Sequence, residues 1–141
     1  MKALLIFFIS SFFTLMFNNE KLDKCNGVEN FIFGTPKSQF KNITLEIEEG
    51  TAQLYTADAE ALKITGVQFD YIGVSFIKNK LSAVSMSTKN STGGAFFNYL
   101  KGNFGTPKKT KNQFEWQGKS ITIVFLLSKN NKDASIDFYS K

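Results

Sequence analysis

The chain has no histidine and no arginine; all seventeen of its basic residues are lysine. Without imidazole it lacks the side chain that titrates unperturbed near neutrality, so His-based triads, Cys–His nucleophiles and His-ligated zinc are excluded. Without guanidinium it lacks the rigid fork that reads phosphate, carboxylate and guanine edges, and lysine offers only a point charge. Specific nucleic-acid readout is therefore not expected, despite a net charge of +5. Cys25 is the single cysteine, so an intrachain disulfide is impossible. It does not fit a lipidation site either, because Leu22-Asp23-Lys24 precede it where small apolar residues are needed. It reads as an incidental thiol near a flexible N-terminus.

What is present begins with residues 1–17, MKALLIFFISSFFTLMF. Lys2 followed by an apolar run has the layout of a secretory signal. The run is shorter than the roughly 20 residues that span a bilayer comfortably. The expectation is an exported protein, periplasmic or secreted, with an uncleaved leader acting as a membrane tether as the alternative. Residues 18–30 are polar and read as a linker, and 31–141 as one domain with enough apolar and aromatic content for a real core.

Charge is uneven. Residues 18–77 hold five lysines against nine acids, and residues 78–141 hold eleven lysines against three. Such asymmetry makes a basic face for an anionic partner or a membrane surface. Interleaving of the two halves in the fold would instead mix the charges, and mixing is the expectation.

Hydrophobic patterning gives an α+β protein. Phe31-Ile32-Phe33 reads as a short strand, and Thr35-Pro36 as the opening of a short helix over Lys37–Asn42. Ile43, Leu45 and Ile47 alternate with Thr44, Glu46 and Glu48, which predicts a half-buried strand with a return over Gln53–Thr56. Asp58–Lys63 reads as a linker or one helical turn. Val67–Lys78 is a strand whose apolar parity switches beside Gly73, suggesting a bulge there. Lys78-Asn79-Lys80 turns it into Leu81–Thr88, and this hairpin is expected at the centre of the sheet. Ser91 or Thr92 caps a helix carrying Phe96, Phe97, Leu100 and Phe104, stopped by Gly105 and Pro107. Lys108–Asn112 reads as an exposed basic loop. Gln113–Gln117, Ser120–Ser128 and Ala134–Tyr139 are three more strands, the middle one apolar on both parities and so interior. The expected fold is an antiparallel sheet with helices on one face, built from two α-β-β-β units.

Gly34-Thr35-Pro36-Lys37-Ser38-Gln39-Phe40, and Phe104-Gly105-Thr106-Pro107 with the three strands after it, resemble small exported proteins of the BamE (SmpA/OmlA) and beta-lactamase-inhibitor-protein-like class. The likeness covers 31–139. It implies protein–protein binding through the sheet and no catalysis, and it carries over no individual residue.

Chemistry-bearing constellations are few. Glu115, Asp70, Asp133 and Asp137 are the carboxylates available for glycoside chemistry, but no spacing singles out a pair. Glu46 and Glu48, two apart on one strand, would share a face about 7 Å apart and so could hold a cation; a charged solvent face or a protected edge is the simpler reading. Ser91-Thr92-Gly93-Gly94 lacks the glycine spacing and lysine of a phosphate loop. Lys108, Lys109 and Lys111 with Trp116 and Phe114 form the best binding patch, provided the rings are exposed rather than packed inward. Tyr139, with Ser85, Ser87 and Ser135, would offer adaptable contacts on the sheet's open face. These features predict a non-catalytic binding protein without metal or cofactor, directed at an envelope protein or cell-surface polymer. An inhibitor or immunity protein using Glu48–Tyr55, a carboxylate-based carbohydrate enzyme, and a membrane-surface binder are the alternatives.

Overall fold

The computed structural model describes residues 19–141, so the leader over 1–17 lies outside the described residues. Helix α1 spans Glu20–Cys25 and a two-stranded ribbon follows, β1 (Gly27–Val28) with β2 (Phe31–Ile32). Then come β3 (Thr44–Glu49), β4 (Ala52–Ala57), β5 (Phe69–Ile77), β6 (Lys80–Thr88), α2 (Gly93–Phe104), β7 (Lys108–Thr110), β8 (Gln113–Gln117), β9 (Ile121–Leu127) and β10 (Ala134–Ser140). The last eight strands form one antiparallel sheet in the order β3-β4-β5-β6-β10-β9-β8-β7. The protein is thus α+β, and each half contributes a four-stranded meander rather than three strands.

Alternation explains why the strands form where they do. Along β6, Leu81, Val84, Met86 and Thr88 are buried; along β10, Ala134, Ile136 and Phe138; along β9, Ile121, Ile123 and Phe125. These share one face by cross-strand register. Helix α2 sets Phe96 edge-on against Phe69 at 5.6 Å and Phe97 against Phe114, Trp116 and Phe125 at 4.9, 5.8 and 5.3 Å. Gly105 ends the helix at φ +81°, its N–H donating to the Lys101 carbonyl.

The two meanders meet where β6 pairs with β10, not at the β5–β6 hairpin that the sequence places centrally. One end of this seam is latched by polar groups. The Ala134 N–H donates to Thr88 Oγ1 (2.9 Å), whose hydroxyl donates to Asp133 Oδ1 (3.3 Å), and the Thr92 N–H donates to the same carboxylate oxygen (3.2 Å). The Gly93 N–H donates to the Lys132 carbonyl, and a Cβ at Gly93 would lie 2.6 Å from that oxygen. Asp133 is therefore engaged in holding the fold.

Several expectations are corrected. Residues 19–30 are not a linker, because Leu22 is fully buried and Asp23 accepts from the N–H groups of Lys119 and Ser120 and from the Ser120 hydroxyl. Cys25 is half-buried, and its Sγ–H faces the Leu22 and Gly27 carbonyls at 3.0 and 3.1 Å; burial pushes its pKa up. The helix expected over Lys37–Asn42 is a single 3-10 turn, Lys37–Gln39. Lys108–Thr110 is an edge strand on β8 rather than a loop. The parity switch in β5 lies at Asp70, where the register with β6 slips, not at Gly73. A second bulge at Glu46 breaks β3, so that Leu45 pairs with Tyr55 but Ile47 pairs with Leu54 on the opposite face.

Thr88→Val leaves the Ala134 N–H without an acceptor and removes one of the two donors to Asp133 Oδ1, and is expected to lower stability by about 1–3 kcal/mol, read by urea unfolding. Burial raises the pKa of Asp23, but the Ser120 and Lys119 N–H groups and the Ser120 hydroxyl outweigh it and hold the carboxyl below its ordinary value. Its contribution is therefore complete above the ordinary carboxylate range and disappears as pH falls through the lowered pKa. Asp23→Asn is expected to be less stable than the parent at neutral pH and to converge with it in acid, as followed by thermal melts across that range.

Candidate functional site

The face of the sheet opposite the aromatic core carries the other parity of every strand. Its floor is made of small side chains. Gly73 and Ser75 lie on β5, Ala83, Ser85 and Ser87 on β6, and Ser135 on β10, with Ser85 opposite Asp137, Ser87 opposite Ser135 and Ala83 opposite Tyr139. Between Tyr71 and Ser75 on β5, Ala83 and Ser87 on β6, and Ser135 and Tyr139 on β10, Asp137 is the one charged residue on this parity. In a chain with seventeen lysines, a sheet face without lysine there is not a generic solvated surface.

Three register irregularities shape this face: one at Ser82 on β6, where Ser75 pairs with Ala83 but Phe76 with Leu81, and the two at Asp70 and Glu46. At Asp70 the register slip rotates Tyr71 onto it, and the Tyr71 ring leans over Gly73, where a Cβ would lie 2.5 Å from the phenol oxygen. At Glu46 the bulge turns the carboxylate toward the same face, where it accepts from the Tyr71 hydroxyl (3.2 Å) and from the Thr56 hydroxyl. Glu48 pairs with Gln53 on the opposite parity, so Glu46 and Glu48 do not share a face and the paired-acid cation reading falls. Among the described residues no group of three potential metal-ligating side chains occurs.

At the β3–β5 end the face deepens into a depression of about 320 Å³ bordered by Ile47, Leu54, Ile77, Ala83 and Tyr139. Ile47 and Ile77 are 54% and 51% exposed. Ile47 is there only because the bulge flips it; unbroken alternation would have put it beside Leu45. That was not legible in the sequence, where Ile43, Leu45 and Ile47 read as one inward stripe.

The five residues singled out from the sequence do not form one site. Tyr139 stands on the open face, opposite Ala83. Trp116 is only 2% exposed and is packed inward against Phe97, its indole N–H donating to the Gly105 carbonyl at 2.8 Å, so it is not a stacking platform. Lys108 lies on β7 opposite Glu115. Lys109 places its ammonium 5.7 Å from the centre of the Phe114 ring. Lys109 and Lys111, with Lys129 from the β9–β10 connection, border a surface hollow of about 690 Å³ at the opposite end of the sheet. A further hollow of about 510 Å³ lies under α1 and α2, where Tyr99 donates to Glu29. Burial and that carboxylate push the Tyr99 phenol well up.

Of the carboxylates nominated for catalysis, Asp133 serves the seam latch, and Glu115 accepts from the Gln113 and Gln117 side-chain amides. Burial raises the Tyr71 pKa, and the Glu46 charge raises it further. Glu46→Gln is expected to lower the Tyr71 pKa toward that of a free phenol, followed by NMR titration of the tyrosine ring carbons; an unchanged Tyr71 contradicts the contact.

Compared with known proteins, the chain matches no family model, no curated protein and no solved structure, so what this face does is read from its own residues.

Proposed function

We propose that this is an exported, non-catalytic binding protein, and that it grips a partner protein with the open face of its sheet while α1, α2 and the β1–β2 ribbon lie over the other. The observation that carries the reading is the composition of that face. A floor of glycine, alanine and serine lets another backbone approach closely. Tyr71 and Tyr139 supply rigid amphipathic contact area, and the serines supply adaptable hydrogen bonds. The apolar depression at Ile47, Leu54 and Ile77 suits one anchoring side chain, the usual centre of an interface.

Size agrees. The eight strands, three to nine residues long, lie side by side over about 34 Å and give a face on the order of 800 Å², which is the per-partner area of a standard interface. Asp137, Glu46 and Glu49 give it a negative cast, so the partner surface would be basic around its anchor. The likeness to inhibitor-type exported proteins carries the same implication. A narrower form of the reading is inhibition of a secreted enzyme. The β3–β4 hairpin favours it by setting exposed Ile47 and Glu49 beside the depression.

A photo-crosslinking residue at Ser85 or at Ile77, in the protein expressed in its native cells, is expected to capture the same single protein. The same probe at Lys101 on α2 is expected to capture none. Ala83→Lys should abolish the adduct at Ser85 while leaving the melting temperature unchanged. An adduct that forms equally from Lys101, or survives Ala83→Lys, contradicts the assignment.

A further inference from the structure

The two ends of the sheet carry opposite charge, because the halves lie side by side instead of interleaving. Residues 44–79, which include β3, β4 and β5, hold six carboxylates and two lysines, and Lys37, whose ammonium donates to the Gln53 side chain on β4, joins them there, which leaves that end net negative by three charges. Residues 105–133, which include β7, β8 and β9, hold six lysines and two carboxylates. Those two carboxylates are Glu115 and Asp133, which accept from the Gln113 and Gln117 amides and from the seam latch, respectively. Seven inter-strand steps separate the two edges by roughly 34 Å, several times the screening length of about 8 Å at physiological salt. The lysine edge therefore acts on its surroundings without cancellation by the acidic one.

A second observation is independent of charge. The described chain enters the domain at Asn19, whose N–H donates to the Gln117 carbonyl and whose side-chain amide donates to the Phe104 carbonyl. The Gly118 N–H bonds inward to Ile121, so Gln117 presents its carbonyl outward, away from β9. Asn19 thus caps the same outer edge of β8 that β7 occupies further along. The apolar, lysine-started segment 1–17 lies outside the described residues and precedes Asn19 in the chain by two positions.

We propose that this edge lies against an anionic membrane surface. Lys108, Lys109, Lys111 and Lys129 face the lipid phosphates, and the domain stands edge-on with its acidic β3 edge outermost. Opposite charge attracts one edge to the surface and repels the other, so the field both holds and orients the domain. Edge-on mounting leaves the open face upright and accessible, whatever that face binds. The occupant is a lipid surface and not a soluble polyanion on the reading in which segment 1–17 is retained as the membrane tether, since the chain enters the domain at this edge through Asn19.

The test uses the full chain on vesicles of phosphatidylcholine, with and without phosphatidylglycerol, read by lysine acetylation and mass spectrometry. On the anionic vesicles, Lys108, Lys109, Lys111 and Lys129 are expected to be protected relative to the same chain on neutral vesicles. Lys63 and Lys78, toward the acidic end, should stay reactive, and high salt should erase the difference. Replacing the four edge lysines by glutamine should weaken binding to anionic vesicles by about fivefold per lysine, whereas Lys63→Gln with Lys78→Gln should not. Equal protection at both ends, no dependence on phosphatidylglycerol, or equal losses from the two variants overturns the proposal. So does equal protection of the four edge lysines by soluble polyphosphate in the absence of vesicles.

Discussion

The antiparallel pairing of β6 with β10 is the contact on which the rest of the architecture depends. The strands come from opposite halves of the chain, and nothing in their turns brings them together. Ser87 meets Ser135, Met86 meets Ile136 and Val84 meets Phe138 across this line. Their apolar partners make the middle of the core, and their small polar partners make the middle of the open face. Thr88, Asp133, Thr92 and Gly93 fix one end of the line with hydrogen bonds among buried or half-buried groups, where a missing partner costs most. If the two meanders were to part, each would expose one flank of the aromatic cluster, and neither would carry a face wide enough for a standard interface.

From this junction the two surfaces acquire different chemistry. Inward residues are large and close-packed: Phe76, Phe96, Phe125, Phe138 and Trp116 are all essentially removed from water. Outward residues along the middle of β5, β6 and β10 are mostly small or hydroxyl-bearing, with Asp137 the one charge among them, while β8 and β9 put Glu115, Val124 and Leu126 on the same side. The outer strands protect their free edges in opposite ways. β3 carries three glutamates and a bulge, and β7 is three residues long with two lysines; both devices discourage edge-to-edge pairing. Because the halves do not mix, the same protection separates charge across the sheet.

Much of the fold was legible from periodicity. The Val67–Thr88 hairpin turns through Lys78 and Asn79 with φ of 50° and 63°, as a tight two-residue turn requires. The helix ending at Gly105 and the strands at 113–117, 121–127 and 134–139 all fell where alternation or helical spacing placed them. What escaped was set by tertiary contacts rather than local pattern. Glu20–Cys25 is a polar stretch whose one buried residue, Leu22, signals little by itself. Lys108–Thr110 has no apolar alternation to mark it, and exists as a strand because β8 offers it an edge. A one-residue bulge leaves no trace in composition, yet the one at Glu46 decides that Ile47 joins the open face. Tyr139 and the serines around it could be placed on that face from parity alone. Trp116, by the same parity, belonged inside.

The central claim is that the two meanders make one sheet through β6 and β10. Native-state hydrogen exchange tests it most directly. The account predicts that the hydrogen-bonded amides along this junction are the last to exchange, opening only with global unfolding, and that protection falls away toward β3 and β7. Junction amides that exchange faster than those within either meander, so that the halves open independently, would contradict it.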